Sequence, residues 1–313
     1  MACVLNTCVT LTSAQEFPQK PIHIFTTEPG GGSDFAARVV AQGLSASLGQ
    51  PVIVENRGGS GVIAAMAVVK AAPDGYNLLL FGSTIWLLPF LQDDVPYDPV
   101  RDLAPITLTN RAPNILLVHP SLPVKSVRDL VALAKARPHE MNYSSGPTGS
   151  SNHLGAELLK SLANMDIVRV PYKGTALALN ALIGGEVQLM FGTAAAVTPH
   201  LKSGRLRALA VTTAKPSVLM PDLPAIAATL PGYESVAQSG VFAPTGTPPA
   251  LINRLNREIV QLLSRTEIKQ RFFTAGTEAI GSTPEEFATA VKAEMTSMGK
   301  VIREARAREG RTP

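Results

Sequence analysis

Two polar, glycine-rich loops each lead directly into a predicted helix, and they lie about a third of the chain apart. The first covers residues 29–34 and contains Gly31, Ser33 and Asp34; the second covers residues 144–153. A helix N-terminus carries unpaired backbone N–H groups and a partial positive charge, so it can hold an anion. The two loops together therefore predict a site that grips a small acid from both sides.

Neither loop fits a nucleotide motif or brings a catalytic signature with it. No Gly-Lys-Ser/Thr follows Gly30 at P-loop spacing, and a Gly-x-Gly-x-x-Gly count from Gly30 ends at Phe35. Residues 58–62 lack the last glycine of a hydrolase elbow. The five histidines are scattered, with no His-x-x-x-His. We therefore expect a binding protein with no metal and no cofactor.

One enzymatic alternative stays open at this point. His153 stands at a helix start beside Ser150 and Ser151, where a Ser–His pair is conceivable. Such a pair needs a third group to orient the base, and the neighbouring sequence offers none. The alternative is an exported hydrolase or transferase that uses His153 or Lys173 as its base.

Neutral donors follow several predicted strands and could hold a carboxylate, together with backbone N–H groups, without an arginine. These donors are Ser83, Thr84, Asn114, Ser145, Ser150, Ser151, Thr175 and Thr193. Trp86, the only tryptophan, would either wall a ligand pocket or cap a core. Asp34 and Arg38 are four residues apart and can pair along the first helix, which would give Asp34 the task of ordering its loop.

The elements that position these residues alternate between short β-branched runs and longer helical periodicities, which is typical of an α/β protein. Strands are predicted over 21–26, 51–55, 76–81, 141–145, 167–170, 187–191 and 207–212. The longer predicted helices cover 34–48, 126–136, 152–163, 249–264 and 284–309, and two apolar runs cover 104–108 and 114–119. In open α/β sheets ligands bind beyond the carboxyl ends of the strands, where both glycine loops fall.

Composition places the chain among soluble globular proteins with room for two domains. It has 313 residues, of which 45% are hydrophobic and 17% charged. The net charge of +4 is mild and aromatic residues make up 5%, too few for a nucleic-acid surface built on stacking. No apolar run after the first sixteen residues approaches the roughly 20 residues of a membrane span.

The first sixteen residues resemble an export signal. They are apolar, they hold both cysteines, Cys3 and Cys8, and Thr12-Ser13-Ala14 has the small side chains of a cleavage site. The usual basic start is missing, so we interpret residues 1–16 as an export signal or its remnant. A lipoprotein anchor at Cys8 and a plain N-terminal extension are the alternatives. We expect a periplasmic protein.

An ordered set of short motifs resembles a known family. The motifs are Gly-Gly-x-x-Asp-x-x-Ala-Arg at 30–38, Val-Glu-Asn-Arg at 54–57, Ala-Ala-Pro-Asp-Gly-Tyr at 71–76, Pro-Tyr-Asp-Pro at 96–99, Pro-Tyr-Lys-Gly at 171–174 and Gly-Arg-Leu-Arg-Ala-Leu-Ala-Val-Thr at 204–212. In this order, from about Phe17 to the end, they look like the extracytoplasmic solute receptors of tripartite tricarboxylate transporters, the Bug-type receptors.

This resemblance implies an α/β, two-lobed type II periplasmic-binding-protein fold, a Venus flytrap with its ligand cleft between the lobes. Lobe 1 would comprise residues 17–116 and 241–313, and lobe 2 residues 117–240. The receptor would close on a small carboxylate and pass it to the membrane permease subunits of a tripartite transporter, or present the liganded form to a sensor kinase.

The resemblance also implies which residues line the cleft. From lobe 1 and the second glycine loop they would be Gly31, Ser33, Asp34, Ser83, Thr84, Gly149, Ser150 and Ser151, and lobe 2 would add Lys173, Gly174, Thr175, Gly192 and Thr193. Together with Trp86, Asn114 and Ser145, these are the predicted ligand-binding residues.

Two positions depart from the family pattern. Thr26-Thr27-Glu28 stands where Pro-Phe-Pro is often found, so an aromatic lid is lost and a carboxylate gained. Gly192 stands where an Asp, which could meet a ligand ammonium, is common. We therefore expect a dicarboxylate or an aromatic acid rather than an amino acid.

Overall fold

The computed structural model describes residues 17–30, 32–57, 61–146 and 149–309 of the chain, which form one mixed sheet covered by helices. The predicted export segment (1–16) and Gly31 lie outside these described residues. The strands are β1 (Ile22–Thr26), β2 (Val52–Asn56), β3 (Asn77–Gly82), β4 (Leu103–Val118), β5 (Asn142–Ser145), β6 (Val168–Pro171), β7 (Leu189–Thr193), β8 (Arg207–Val211), β9 (Val236–Pro244) and β10 (Glu278–Ala279).

Most strands are followed directly by a helix, as the alternating sequence pattern predicts. The helices are α1 (Gly32–Leu48), α2 (Val62–Val69), α3 (Thr84–Leu91), α4 (Val127–Ala136), α5 (Ser151–Ala163), α6 (Thr175–Ile183), α7 (Ala194–Lys202), α8 (Pro249–Ser264), α9 (Thr266–Thr274) and α10 (Pro284–Glu309). The predicted helices at 34–48, 249–264 and 284–309 are confirmed to within two residues at each end.

The long strand β4 divides the sheet into two regions. Its residues Leu103–Pro113 pair with β9, whereas Asn114–Val118 pair with β7 and β8. We call β1, β2, β3, β9, β10 and the first part of β4 the first sheet region, and β5 to β8 with the second part of β4 the second sheet region. In both regions the strands away from β4 run parallel, so their carboxyl ends share an edge.

The sequence predicted two separate apolar runs where the structure has the single strand β4. The polar residues between the runs are accommodated because their side chains are hydrogen-bonded inside the protein. Thr109 Oγ1 donates to the Ser239 carbonyl at 3.1 Å, and Asn110 Nδ2 donates to Thr277 Oγ1 at 3.1 Å. A buried polar group that keeps a hydrogen bond costs little, so the strand continues through them.

Helix α3 is an element that sequence reasoning did not assign. Pro89 lies inside it and cannot donate to the carbonyl four residues earlier, that of Ile85. The buried Tyr97 hydroxyl donates to that carbonyl at 2.8 Å instead, and burial raises the pKa of this phenol. The helix therefore survives its proline because a side chain from outside replaces the missing backbone donor.

Hydrophobic packing ties the two sheet regions together. In the first region α1 and α8 cover the sheet with Val40, Leu44, Leu255 and Ile259, all fully buried. A larger cluster continues from Trp86, Phe242 and Phe287 across to Tyr143 and Leu159, which belong to the second region. The elements around the cleft are thus held by a shared core as well as by the strand β4.

Candidate functional site

A cavity of about 610 Å³ opens in the cleft between the two sheet regions. Its walls come from the starts of four helices, from the middle of β4, from the start of β9, from the turn after α9 and from α10. The predicted site residues among its lining are Ser33, Ser83, Thr84, Gly149, Ser150, Ser151 and Thr193. The structure therefore brings residues at the starts of four different helices to one place.

The starts of α1, α3, α5 and α7 all line this cavity. Gly32 and Ser33 begin α1, Ser83 and Thr84 begin α3, Ser150 and Ser151 begin α5, and Thr193 and Ala195 begin α7. Because strands β1, β3, β5 and β7 end at the cleft, each helix that follows points its N-terminus there. Four partial positive charges and several unpaired backbone N–H groups converge on the same space.

The first glycine loop is ordered by Asp34, which does not line the cavity. Its Oδ2 accepts from the Gly30 N–H and from Arg38 Nε, both at 3.0 Å, and its Oδ1 accepts from Asn56 at 2.7 Å. Desolvation by burial opposes ionisation of Asp34, but these hydrogen bonds together outweigh it and lower its pKa. The side chain is thus occupied by its own loop, as its spacing to Arg38 predicted.

The second glycine loop folds back onto the first turn of α5. Gly146 N–H donates to Asn152 Oδ1 at 3.3 Å, and Gly149 N–H donates to His153 Nδ1 at 3.1 Å. The Ser150 hydroxyl also donates to Asn152 Oδ1. Ser151 is different: within the described residues its hydroxyl makes no hydrogen bond, and it lies at the cavity wall.

Several predicted site residues lie outside the cavity lining. Trp86 is fully buried between Phe242 and Phe287, with ring centroids at 5.8 and 5.9 Å, so the structure gives it the core position that was one of its two interpretations. Asn114 and Ser145 are buried behind the cleft, and Ser145 accepts from Arg169 Nε at 2.9 Å.

The other predicted residues absent from the described lining belong to elements of the second sheet region. Lys173, Gly174 and Thr175 lie at the start of α6, where Asn152 Nδ2 is 3.5 Å from Thr175 Oγ1. Gly192 lies under α7: a Cβ there would come within 2.6 Å of Val197. A glycine at this position therefore allows α7 to pack closely against β7. Glu28 is exposed.

The cavity also contains residues that sequence reasoning missed. Those outside the helix starts are Asn110 and Ala112 on β4, Ser235 to Ser239 at the start of β9, Ala275 to Thr277 after α9, and Glu294 and Met298 on α10. None follows a glycine loop, and Glu294 reads in the sequence as one charge among many on an amphipathic helix. Only the folded chain reveals them, because their partners lie far away in sequence.

Glu294 is the one ionisable side chain in the described lining of the cavity. Its Oε2 accepts from Gln238 Nε2 at 2.6 Å, from Trp86 Nε1 at 2.9 Å and from Ser83 Oγ at 3.3 Å. Desolvation by burial raises the pKa of this carboxyl despite the three donors. Since Ser83 is the N-cap of α3, the Glu294 carboxyl lies beside the N-terminus of that helix.

The geometry has the features of a binding site. His153 is buried inside α5 and accepts a backbone hydrogen bond, and Lys173 does not reach the cavity lining. In the described ranges no cluster of three or more His, Cys, Asp or Glu side chains has a metal-binding arrangement. No helix of the described chain is both long enough and apolar enough to cross a bilayer.

A two-lobed α/β fold with a ligand cleft lined by helix N-termini defines a solute-binding protein of the type II periplasmic class. Residues 36–306 match the family model of the tripartite tricarboxylate transporter family receptor. The chain belongs to this family, as its motifs predicted. The family is one of transport receptors, so the hydrolase or transferase alternative is not supported.

Individual relatives agree with this assignment over most of their length. Protein BugT of Bordetella pertussis is 36% identical over 299 residues, which cover 93% of this chain and 91% of BugT. The solved structure of R. palustris Rpa4515 with adipate is 36% identical, with a TM-score of 0.74 and coverage of 91% and 97%. MatC from Rhodopseudomonas palustris, with bound malate, is 28% identical, with a TM-score of 0.71 and coverage of 91% and 100%.

Proposed function

We propose that this receptor captures a small carboxylate in the cavity by closing its two lobes, outside the cytoplasm and in the periplasm. The ligand would then pass to the membrane permease of a tripartite transporter, with a sensor kinase as a second recipient of the liganded form. The observation that carries the proposal is the convergence of four helix N-termini on a cavity without a basic side chain in its described lining. The adipate and malate bound by two relatives support the ligand class.

The N-termini of α5 and α7 are the best candidates to hold the carboxylate. Asp34 lies in the first turn of α1, and Glu294 bonds to the N-cap of α3, so those two helix dipoles already face a negative charge of the chain. The first turns of α5 and α7 contain no acidic residue. Like charges repel and helix N-termini attract anions, so an incoming carboxylate is stabilised most at Ser151 and Thr193.

The lobe boundaries belong to the same proposal. The sequence-based division assigns 17–116 and 241–313 to lobe 1 and 117–240 to lobe 2. The change of β4 partners between Pro113 and Asn114, and the start of β9 at Val236, support crossings a few residues earlier. Because ligand groups on both lobes are within reach only when the cleft is closed, binding would favour the closed state.

A thermal-shift screen over small mono- and dicarboxylates, including adipate, malate and aromatic acids, tests this function. A ligand that binds only the folded protein raises the melting temperature in proportion to the logarithm of its concentration over its Kd. The predicted preference for a dicarboxylate or an aromatic acid over an amino acid is tested by the same panel. A panel that shifts nothing would contradict the proposal.

The double variant Ser151→Ala, Thr193→Val tests the position of the carboxylate. Within the described residues neither hydroxyl makes a hydrogen bond, so their removal leaves the protein's own network intact. We expect the Kd of the best ligand to rise about tenfold per hydroxyl lost, with little change in melting temperature. Ser47→Ala, at an exposed serine of α1 whose hydroxyl also makes no hydrogen bond within the described residues, is the matched control. Equal affinity in variant and control would place the carboxylate elsewhere.

A further inference from the structure

Glu294 is an unexpected residue in a cavity that binds acids. It lies on the cavity face of α10 together with Met298, one turn further along the helix. A carboxylate there repels a second carboxylate at close range, which lowers affinity unless Glu294 takes up a proton or the ligand offers it something else. The position and bonding of its two oxygens indicate what that is.

The protein uses only one of the two oxygens. All three donors, Trp86 Nε1, Gln238 Nε2 and Ser83 Oγ, bond to Oε2. Within the described part of the chain, Oε1 accepts no hydrogen bond, although the side chain lines the cavity. A carboxylate held for structural reasons alone would gain by sharing its donors between both oxygens, so the one-sided arrangement leaves Oε1 for a visiting group.

The donors also fix the direction in which Oε1 points. Trp86 is held between Phe242 and Phe287, and Gln238 lies in the sheet on β9. If Glu294 turned away, the buried Trp86 N–H would lose its partner, at the cost of leaving a buried donor unsatisfied. The carboxyl is therefore a fixed acceptor rather than a side chain that moves aside for an anion.

We propose that Glu294 is a specificity-determining residue that accepts, at Oε1, a hydrogen bond from a hydroxyl or ammonium group that the ligand carries beside its carboxylate. This inference rests on the proposed function, in which the carboxylate sits at α5 and α7. It assigns the ligand to the hydroxy acids or amino acids rather than to plain dicarboxylates. An amino acid opposes the preference drawn from Gly192, whereas a hydroxy dicarboxylate agrees with both.

The variant Glu294→Gln tests this proposal because it replaces the acceptor Oε1 with a hydrogen-bond donor. The three donors select an acceptor at the Oε2 position, so the glutamine carbonyl oxygen goes there and its NH₂ group takes the place of Oε1. An acceptor facing the cavity becomes a donor while size and shape are kept. A donor-bearing ligand should then bind worse and a plain dicarboxylate better.

The measurement is isothermal titration with matched sets: succinate, malate and aspartate; adipate, 2-hydroxyadipate and 2-aminoadipate; and propionate, lactate and alanine. In the wild-type protein the Kd for the hydroxy or amino member of a set is expected to be at least about tenfold below that of its plain member. In Glu294→Gln we expect that ratio to fall about tenfold or more. Comparing the hydroxy member with the amino member of each set shows whether Glu294 prefers a hydroxyl or an ammonium donor.

Each ratio compares the Kd values of two ligands for the same variant, so a general loss of affinity cancels. Glu285→Gln, the same substitution at an exposed glutamate in the first turn of α10, is the control and should keep the wild-type ratio. Glu294→Asp is a second variant that keeps the charge but withdraws the acceptor, and it should also lower the ratio. An unchanged ratio in both Glu294 variants, or a wild-type protein that prefers the plain acids, overturns the inference and leaves the proposed function standing. A wild-type protein that binds no acid in the sets overturns both.

Discussion

Individual side chains around the cleft divide into those that serve the ligand and those that serve the loops. Asp34 belongs to the second group, because three donors from Gly30, Arg38 and Asn56 occupy its two oxygens. We propose that Ser151 and Thr193 belong to the first, because their hydroxyls have no partner in the described structure. Residue type alone does not separate these groups, whereas the hydrogen bonds that each side chain already makes within the protein do.

Asp34→Asn should destabilise the fold at neutral pH by about 1–3 kcal/mol, since an NH₂ group would face existing donors. The pKa of Asp34 is lowered in the folded state, so its stabilising effect is present above the ordinary Asp value of 3.8 and is lost as pH falls through its own lower pKa. Urea unfolding at pH 7 and pH 3 checks this.

We expect the difference in unfolding free energy between wild type and Asp34→Asn to shrink at pH 3. Asp222→Asn, at an exposed aspartate, is the control and should stay within about 0.5 kcal/mol of wild type at both pH values. A difference of the same size at pH 3 and pH 7 would show that the charge of Asp34 is not what orders the loop.

At the scale of elements, the proposed closure of the cleft depends on how closely α7 can approach the turn after α9. A Cβ at Gly276 would lie 2.8 Å from the Ala195 Cβ and 3.3 Å from the Ala195 nitrogen. Both residues line the cavity, Gly276 from the first sheet region and Ala195 from the second. Gly276 therefore sits where the two sides of the cleft meet.

Gly276→Ala should weaken ligand binding by holding the cleft open. Overpacking costs about 1–3 kcal/mol, and the open state can relieve it, so the cost falls on the closed, liganded state and raises Kd about tenfold or more. Titration calorimetry measures this. Gly204→Ala is the matched control, because its φ of 70° resembles the 75° of Gly276 and nothing lies within 4 Å of its new Cβ.

The two variants share the strain of a side chain at positive φ, so they should lose similar amounts of thermal stability. Only Gly276→Ala should lose affinity. If both bind the ligand equally well, the contact with Ala195 does not limit closure.

The elements were more predictable than the cavity they build. The glycine loops and the helices after them follow from local signals, and Ser33, Ser83, Ser150, Ser151 and Thr193 line the cavity accordingly. Glu294 carries no such signal, because its partners Ser83 and Trp86 are 211 and 208 residues away. Helix α3 was missed for a related reason: the hydroxyl that compensates Pro89 comes from Tyr97, in the segment that follows the helix.

At the scale of the whole molecule, the two sheet regions should unfold together. Strand β4 contributes to both, and one hydrophobic cluster contains Trp86 and Phe287 as well as Tyr143 and Leu159. Loss of either region would expose the half of this cluster that packs against the other. Elements that share a core in this way form one cooperative unit.

The position of the single tryptophan allows a direct test. Trp86 reports on the first sheet region, whereas Leu159, fully buried on α5, belongs to the second. Leu159→Ala should cost about 2–5 kcal/mol through the cavity it leaves. In a cooperative molecule, the unfolding midpoint followed by Trp86 fluorescence should fall as far as the midpoint followed by far-ultraviolet circular dichroism.

Leu44→Ala on α1 is the control within the region of the tryptophan and should lower both midpoints. A fluorescence midpoint that stays at the wild-type value in Leu159→Ala would show that the lobes unfold independently, and that β4 joins them only as a hinge.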